Sequence, residues 1–190
     1  SLPYWKTISY QIPNYIKVEL EEYNKESNEE CEKYFKVIHY LDSIENPWLP
    51  EDFTLTNISI EEYVNHINSC YDDIRLSIKE LKEYQNHRVY DENLWIAIKD
   101  IRNNKIVATG IGEMDNIVRE GILEWVQVSK EYRRKGLGKY IVNELLFITK
   151  DKAKFVTVSS KLSNKLNPLS LYKNYGFINK QIWNIYQSNR

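Results

Sequence analysis

The chain has 190 residues, 42% of them hydrophobic and 28% charged, enough for one domain with a core of its own. No apolar run approaches the roughly 18 residues of a spanning helix, and no secretory leader is visible. The net charge of -1 hides a split: residues 121–190 carry 13 Lys or Arg against 4 Asp or Glu, while the first 120 carry 13 against 23. Such asymmetry points to one part of the chain meeting an anion, and the lack of an aromatic-basic signature argues against nucleic acid.

In chain order, Tyr4 to Leu20 is strand-like and broken by Pro13. Glu21 to Glu32 is acidic and polar and reads as an exposed loop. Tyr34 to Leu41 alternates as a strand, Asn46 to Pro50 is a turn, and Phe53 to Ile58 is a further strand. Ser59 and Glu62 form a capping box ahead of Ile60, Tyr63, Val64 and Ile67 at helical spacing. A second helix is expected over Ile74 to Tyr84, with Ile74, Ile78 and Leu81 on one face. Leu94 to Lys99 and Lys105 to Glu113 read as strands joined by a turn at Arg102 to Asn104. After a turn at Asn116 to Gly121 comes a strand over Leu123 to Ser129, then a helix over Leu137 to Lys150. Lys154 to Ser159 is another strand run, and Phe177 to Tyr186 supplies closing strands.

The junction of strand and helix at Ser129 to Lys139 carries the chemistry. Gly136 and Gly138 let backbone N–H groups approach an anion, and the helix start adds unpaired N–H groups and a positive dipole end. Arg133, Arg134, Lys135 and Lys139 add formal charge. A Walker loop would need Ser or Thr after Gly138-Lys139, where Tyr140 stands. A dinucleotide fingerprint would need a third glycine, where Ile141 stands. The pattern present is Arg-x-x-Gly-x-Gly, from Arg133 to Gly138. About 30 residues on stands Asn167-Pro168-Leu169-Ser170-Leu171-Tyr172-Lys173-Asn174-Tyr175-Gly176-Phe177, with a strand between.

These two motifs, in this order, resemble the GNAT superfamily of N-acetyltransferases, and the match covers roughly Leu94 to Ile185. The resemblance implies an α/β (α+β) fold: a mixed, mostly antiparallel central sheet flanked by helices. On that reading residues 1–50 are a strand-rich N-terminal extension packed on the core, and 51–190 are the acetyltransferase domain. It implies acetyl-CoA as co-substrate, bound by Arg133, Arg134, Lys135, Gly136, Leu137, Gly138 and Lys139. In the family the strand before the loop splays from its neighbour. The Val126 N–H then meets the acetyl carbonyl, while Gln127 and Val128 meet pantetheine. Asn167 touches the cofactor arm, and Tyr172 is the general acid. Asn167 is also a good helix cap on its own account. Lys130 stands where proline is common in the family.

The base is less clearly marked. Glu124 comes first, then Glu120 and Glu113. As a strand residue Glu124 is expected to share a face with Val126 and Val128. No cysteine lies near the motifs, so direct transfer without a covalent intermediate is expected. Cys31 and Cys70 are too far apart in sequence to suggest a disulfide framework, and a cytoplasmic location follows. His39, His66 and His87 show no ligand spacing, and no metal is expected. The acceptor is a small-molecule or peptide amine; neither nucleic acid nor membrane is implied. Closing strands that pair between subunits in this family make a homodimer one implied arrangement. A non-catalytic acyl-CoA-binding sensor on the same fold is the alternative.

Overall fold

The computed structural model describes residues 16–21, 30–72, 74–164 and 167–187. Among these are eight strands and four α-helices, and every strand pair with a defined register is antiparallel. This is the mixed, mostly antiparallel α/β class expected from the sequence. The described residues form two compact units, 41–156 and 16–40 with 157–187.

In the first unit, β3 (Phe53–Thr56), β4 (Trp95–Asp100), β5 (Lys105–Asp115) and β6 (Glu120–Val128) lie side by side in that order. Side chains alternate between the faces of such a sheet. Ala97 and Ile111 project to one face, where Tyr63, Val64 and Ile67 of α1 (Ile60–Cys70) and Leu81 of α2 (Ile78–Gln85) bury against them. On the other face, α3 (Leu137–Thr149) presses close: a Cβ on Gly110 would stand 2.3 Å from Ile141 Cγ2. Only glycine at position 110 allows that approach, and it seats the start of α3 by the end of β6.

Both N-terminal helices begin on complete capping boxes. Ser59 Oγ accepts from the Glu62 N–H, and the Ser59 N–H donates to Glu62 Oε2. Ser77 and Glu80 repeat the arrangement for α2. That second box corrects the expected start at Ile74: the helix begins at Ile78, because Ser77 satisfies its first N–H groups. Ile74 therefore precedes the helix and Ile78 is exposed, which leaves Leu81 as its buried anchor. The expected turn at Asn116 to Gly121 is also shorter. Asp115 Oδ1 accepts from the Ile117 N–H, Arg119 takes φ 56°, and β6 resumes at Glu120.

In the second unit, β8 (Ile178–Gln187) lies between β1 (Ile16–Leu20) and β2 (Glu32–His39), antiparallel to both. β7 (Phe155–Lys161) follows β2 in the order, and its residues from Thr157 on belong here. α4 (Pro168–Asn174) precedes β8. Ile16, Tyr34 and Ile185 form a buried cluster with Val18 and Trp183. The closing strands expected over Phe177 to Tyr186 are one ten-residue strand, since its partners come from the N-terminal region and not from a second C-terminal hairpin. The N-terminal strands thus pair within a unit that includes the C-terminus. Most of the Tyr4 to Leu20 strand and of the Glu21 to Glu32 loop lies outside the described residues; Glu32 itself opens β2.

Candidate acyl-CoA site

β6 is not a regular strand. Ile111 opposes Trp125 and Gly112 opposes Leu123, so Glu124 is an extra residue, a β-bulge. Leu123 and Val126 oppose Gly112 and Gly110, both of which face α3, although the two residues are three apart. Simple alternation is broken at Glu124, so the two-residue period that would put it on one face with Val126 and Val128 does not run through this part of β6. Glu124 is half-buried, while the other carboxylates considered, Glu113 and Glu120, are buried. His87 Nδ1 stands 3.7 Å from Glu113 Oε1.

Beyond Val128 the chain makes a 3-10 turn over Lys130–Tyr132. Tyr132 anchors it: its buried hydroxyl donates to Asp100 Oδ2 (2.9 Å) and accepts from Asn103 Nδ2 (2.8 Å). Lys105 pairs with Glu131 at 2.6 Å and holds that carboxyl below the usual range. Arg134 and Gly136 then both take left-handed conformations, at φ 63° and 84°. Gly136 is the N-cap of α3, with nothing within 4 Å of where a Cβ would stand and no side chain capping the helix. The first turn of α3 contains no acid.

The basic residues are placed unequally. Arg134, Lys135 and Lys139 are exposed. Lys135 Nζ lies 4.7 Å over the Tyr132 ring, and Lys139 pairs with Glu45 at 2.8 Å. Arg133 Nε donates to the Val128 carbonyl at 3.3 Å. Leu137 is buried in the core, so only its main chain is offered to a ligand.

In the second unit α4 begins at Asn167, which takes φ 46° and ψ 56° and caps nothing with its side chain. Its expected capping role is therefore corrected: a left-handed residue does not aim its side chain at the N–H groups of the first turn. Tyr172 is buried. The Phe177 N–H donates to the Tyr172 carbonyl (3.1 Å) and the Gly176 N–H to the Lys173 carbonyl (3.2 Å), with Gly176 at φ 80°. This is a Schellman motif, completed by the Phe177 ring 5.5 Å from that of Tyr172. The spacing Tyr-x-x-x-Gly-Phe thus has a backbone cause of its own.

One group of polar residues was not read from the sequence. His66 of α1 places Nδ1 2.9 Å from Thr109 Oγ1 of β5 and Nε2 3.1 Å from Ser129 Oγ. Gln127 of β6 donates through Nε2 to the same Thr109 hydroxyl. All four residues are 6% exposed or less. Burial pushes the His66 imidazole down to about 4; the Val107 carbonyl opposes this, Lys105 reinforces it and Glu131 opposes it. The available signal was a histidine on the apolar side of α1, between Val64 and Ile67. Among the described residues no group of three or more His, Cys, Asp or Glu is placed to hold a metal ion.

The site is thus a bulged strand running into an uncapped helix through a basic turn with a left-handed glycine. Residues 90–179, just under half of the chain, match the family described as the acetyltransferase (GNAT) domain, and that stretch is a domain of this superfamily. Its members use acetyl-CoA for acetyl transfer. Among solved structures, a GCN5-related N-acetyltransferase from Sphaerobacter thermophilus superposes with a TM-score of 0.68 at 14% identity, covering 83% of this chain and 52% of that one. The chain therefore spans about half the length of that protein. Glucosamine-6-phosphate N-acetyltransferase from Arabidopsis thaliana gives 0.51 at 22% identity, covering 68% of this chain and 93% of that one. The ribosomal-protein-S18-alanine N-acetyltransferase from Escherichia coli gives 0.53 at 15% identity, covering 73% and 95%. No curated protein matches the sequence.

Proposed function

We propose that the chain transfers the acetyl group of acetyl-CoA directly to a primary amine. The observation that carries this is the start of α3, where Gly136 at φ 84° opens an acid-free, uncapped first turn beside Arg133, Arg134, Lys135 and Lys139. That arrangement suits a pyrophosphate. The main chain of Leu137, Gly138 and Lys139 would donate to it. The main chain of Gln127 and Val128 would hold the pantetheine arm, with Asn167 touching it from α4.

The Val126 N–H would stabilise the carbonyl oxygen as charge develops there, a contribution of about 2.7–4 kcal/mol in comparable sites. The amine nitrogen bonds to the acetyl carbon and the C–S bond breaks. Tyr172 delivers its phenolic proton to the departing sulfur, and Glu124 takes a proton from the amine, directly or through water. The bulge at Glu124 is a common device for re-aiming one side chain next to a reaction centre. Direct transfer is supported by the cysteine of this unit: burial pushes the Cys70 thiol up, which disfavours the nucleophilic thiolate.

The acceptor is a small-molecule or peptide amine. Two structural neighbours act, by their names, on glucosamine-6-phosphate and on a ribosomal-protein alanine, so the fold accommodates both kinds. A second reading, an acyl-CoA-binding module without catalysis, is favoured by one observation: the Schellman motif accounts for the Tyr172 ring without any chemistry. Free-thiol release from acetyl-CoA over a panel of polyamines, aminoglycosides, peptides and lysine separates the two. Amine-dependent release supports transfer. Calorimetric binding with no release for any amine supports the module, and absence of binding overturns both.

A further inference from the structure

The cluster around His66 takes no part in the transfer just described, yet it joins the two stretches assigned to the cofactor. α1 packs through Tyr63, Val64 and Ile67, and His66 is the polar exception on that buried side. One placement of protons satisfies all three of these hydrogen bonds, with Cys70 Sγ a further 3.7 Å neighbour of His66 Nε2. Gln127 Nε2 donates to Thr109 Oγ1, which leaves the threonine proton for His66 Nδ1. His66 is then protonated at Nε2, and that N–H donates to Ser129 Oγ. A buried polar chain of this kind adds little net stability over apolar side chains filling the same volume. What it does supply is a single permitted arrangement of the elements it joins.

Those elements are informative. Ser129 is the residue at which β6 ends and the basic turn begins. Its N–H donates to the Val107 carbonyl (2.9 Å) and its carbonyl accepts from the Tyr132 N–H (2.9 Å). Its side chain is the third constraint, and that one comes from α1. Gln127, at the other end of the chain of bonds, is the residue whose main chain is assigned to the pantetheine arm. One network thus fixes both the strand that would orient the thioester arm and the point from which the phosphate-binding turn departs.

We propose that His66 is a positioning residue for the acetyl-CoA loop, its Nε2–H holding Ser129 so that α1 sets where the loop leaves β6. The proposal rests on the assignment of that loop to acetyl-CoA. It requires His66 to act through Ser129, which makes the two substitutions equivalent and not additive.

The test compares His66→Leu, Ser129→Ala, the double variant and His66→Gln, whose side-chain amide can still donate toward Ser129. Two quantities are read: amide hydrogen exchange over residues 130–136 in the unliganded protein, and acetyl-CoA affinity by calorimetry. We expect His66→Leu and Ser129→Ala each to speed exchange in the loop about fivefold or more, with the C-terminal half of α3 unchanged. The double variant should match the singles, since residues acting as one unit do not add. Acetyl-CoA affinity, and KM where turnover is measurable, should worsen by a similar factor with kcat unchanged, and His66→Gln should recover most of both. Unchanged loop exchange in folded His66→Leu or Ser129→Ala, or additive effects in the double variant, overturns the proposal. If His66→Leu does not fold, Ser129→Ala against His66→Gln decides by the same readouts. If the wild type binds no acetyl-CoA, the cofactor reading falls, and loop exchange alone decides the role of His66.

Discussion

α1 and α2 begin in one way, α3 and α4 in another. The first pair start on Ser-x-x-Glu boxes in which side chain and backbone satisfy each other reciprocally. The second pair start on left-handed residues, Gly136 and Asn167, and no side chain caps either helix. The capped helices serve packing, through Tyr63, Val64, Ile67 and Leu81. The uncapped ones stand in the two sequence motifs assigned to the cofactor. They also differ from each other. Gly136 has open space around it and leads into main-chain donors, whereas α4 has proline at its first position, which removes a donor, and offers the Asn167 amide instead. A helix start without an internal cap keeps its hydrogen-bonding capacity for something else.

The strongest way to break this comparison is to give α3 an anion of its own. Gly138→Glu should weaken acetyl-CoA binding at least about 100-fold, because a carboxylate in the first turn competes for the same dipole and cations. Calorimetry reads this directly, and retained affinity would remove the loop from the site. Next in size is Tyr172→Phe. The ring stays in its contact with Phe177, so the fold should persist while kcat falls about tenfold or more at constant acetyl-CoA affinity. Unchanged turnover would leave Tyr172 with only its Schellman role.

The pH dependence of stability is a smaller effect. His66 sits at about 4 when folded, against an ordinary value of 6.5, so the unfolded chain takes up its proton first as pH falls. Its contribution is full above about 6.5 and is lost on descending toward about 4, at most about 3 kcal/mol. Denaturant titrations over that window should show a shallower decline for His66→Gln than for wild type; parallel declines would mean that His66 is not neutral when folded. The smallest effect belongs to the capped helices. Ser59→Ala or Ser77→Ala should each cost about 1 kcal/mol. Neither should change acetyl-CoA affinity, and a loss of binding there would blur the division between capped and uncapped helices.

What was legible from the sequence was local. The α1 capping box, the strand-turn-helix with Arg133 to Gly138, and the Asn167 to Phe177 motif are each encoded within about a dozen residues, by φ preferences and hydrogen-bonding side chains. The Ser77 box is equally local, but the apolar spacing from Ile74 competes with it, and spacing alone starts α2 four residues early. The bulge at Glu124 was not legible, because it is a relation between β6 and β5 that no run of β6 reveals alone. Nor could the sequence order β8 between β1 and β2, since antiparallel pairing specifies a partner only once both strands exist. The His66 network lies furthest from sequence reasoning: Thr109 is 43 residues from His66, and Ser129 is 63. The sequence by itself determined where the basic, glycine-bearing turn is and that Tyr172 belongs to a helix end. Tertiary structure decided which side chains stand behind that turn, because burial and long-range hydrogen bonds are properties of assembled elements.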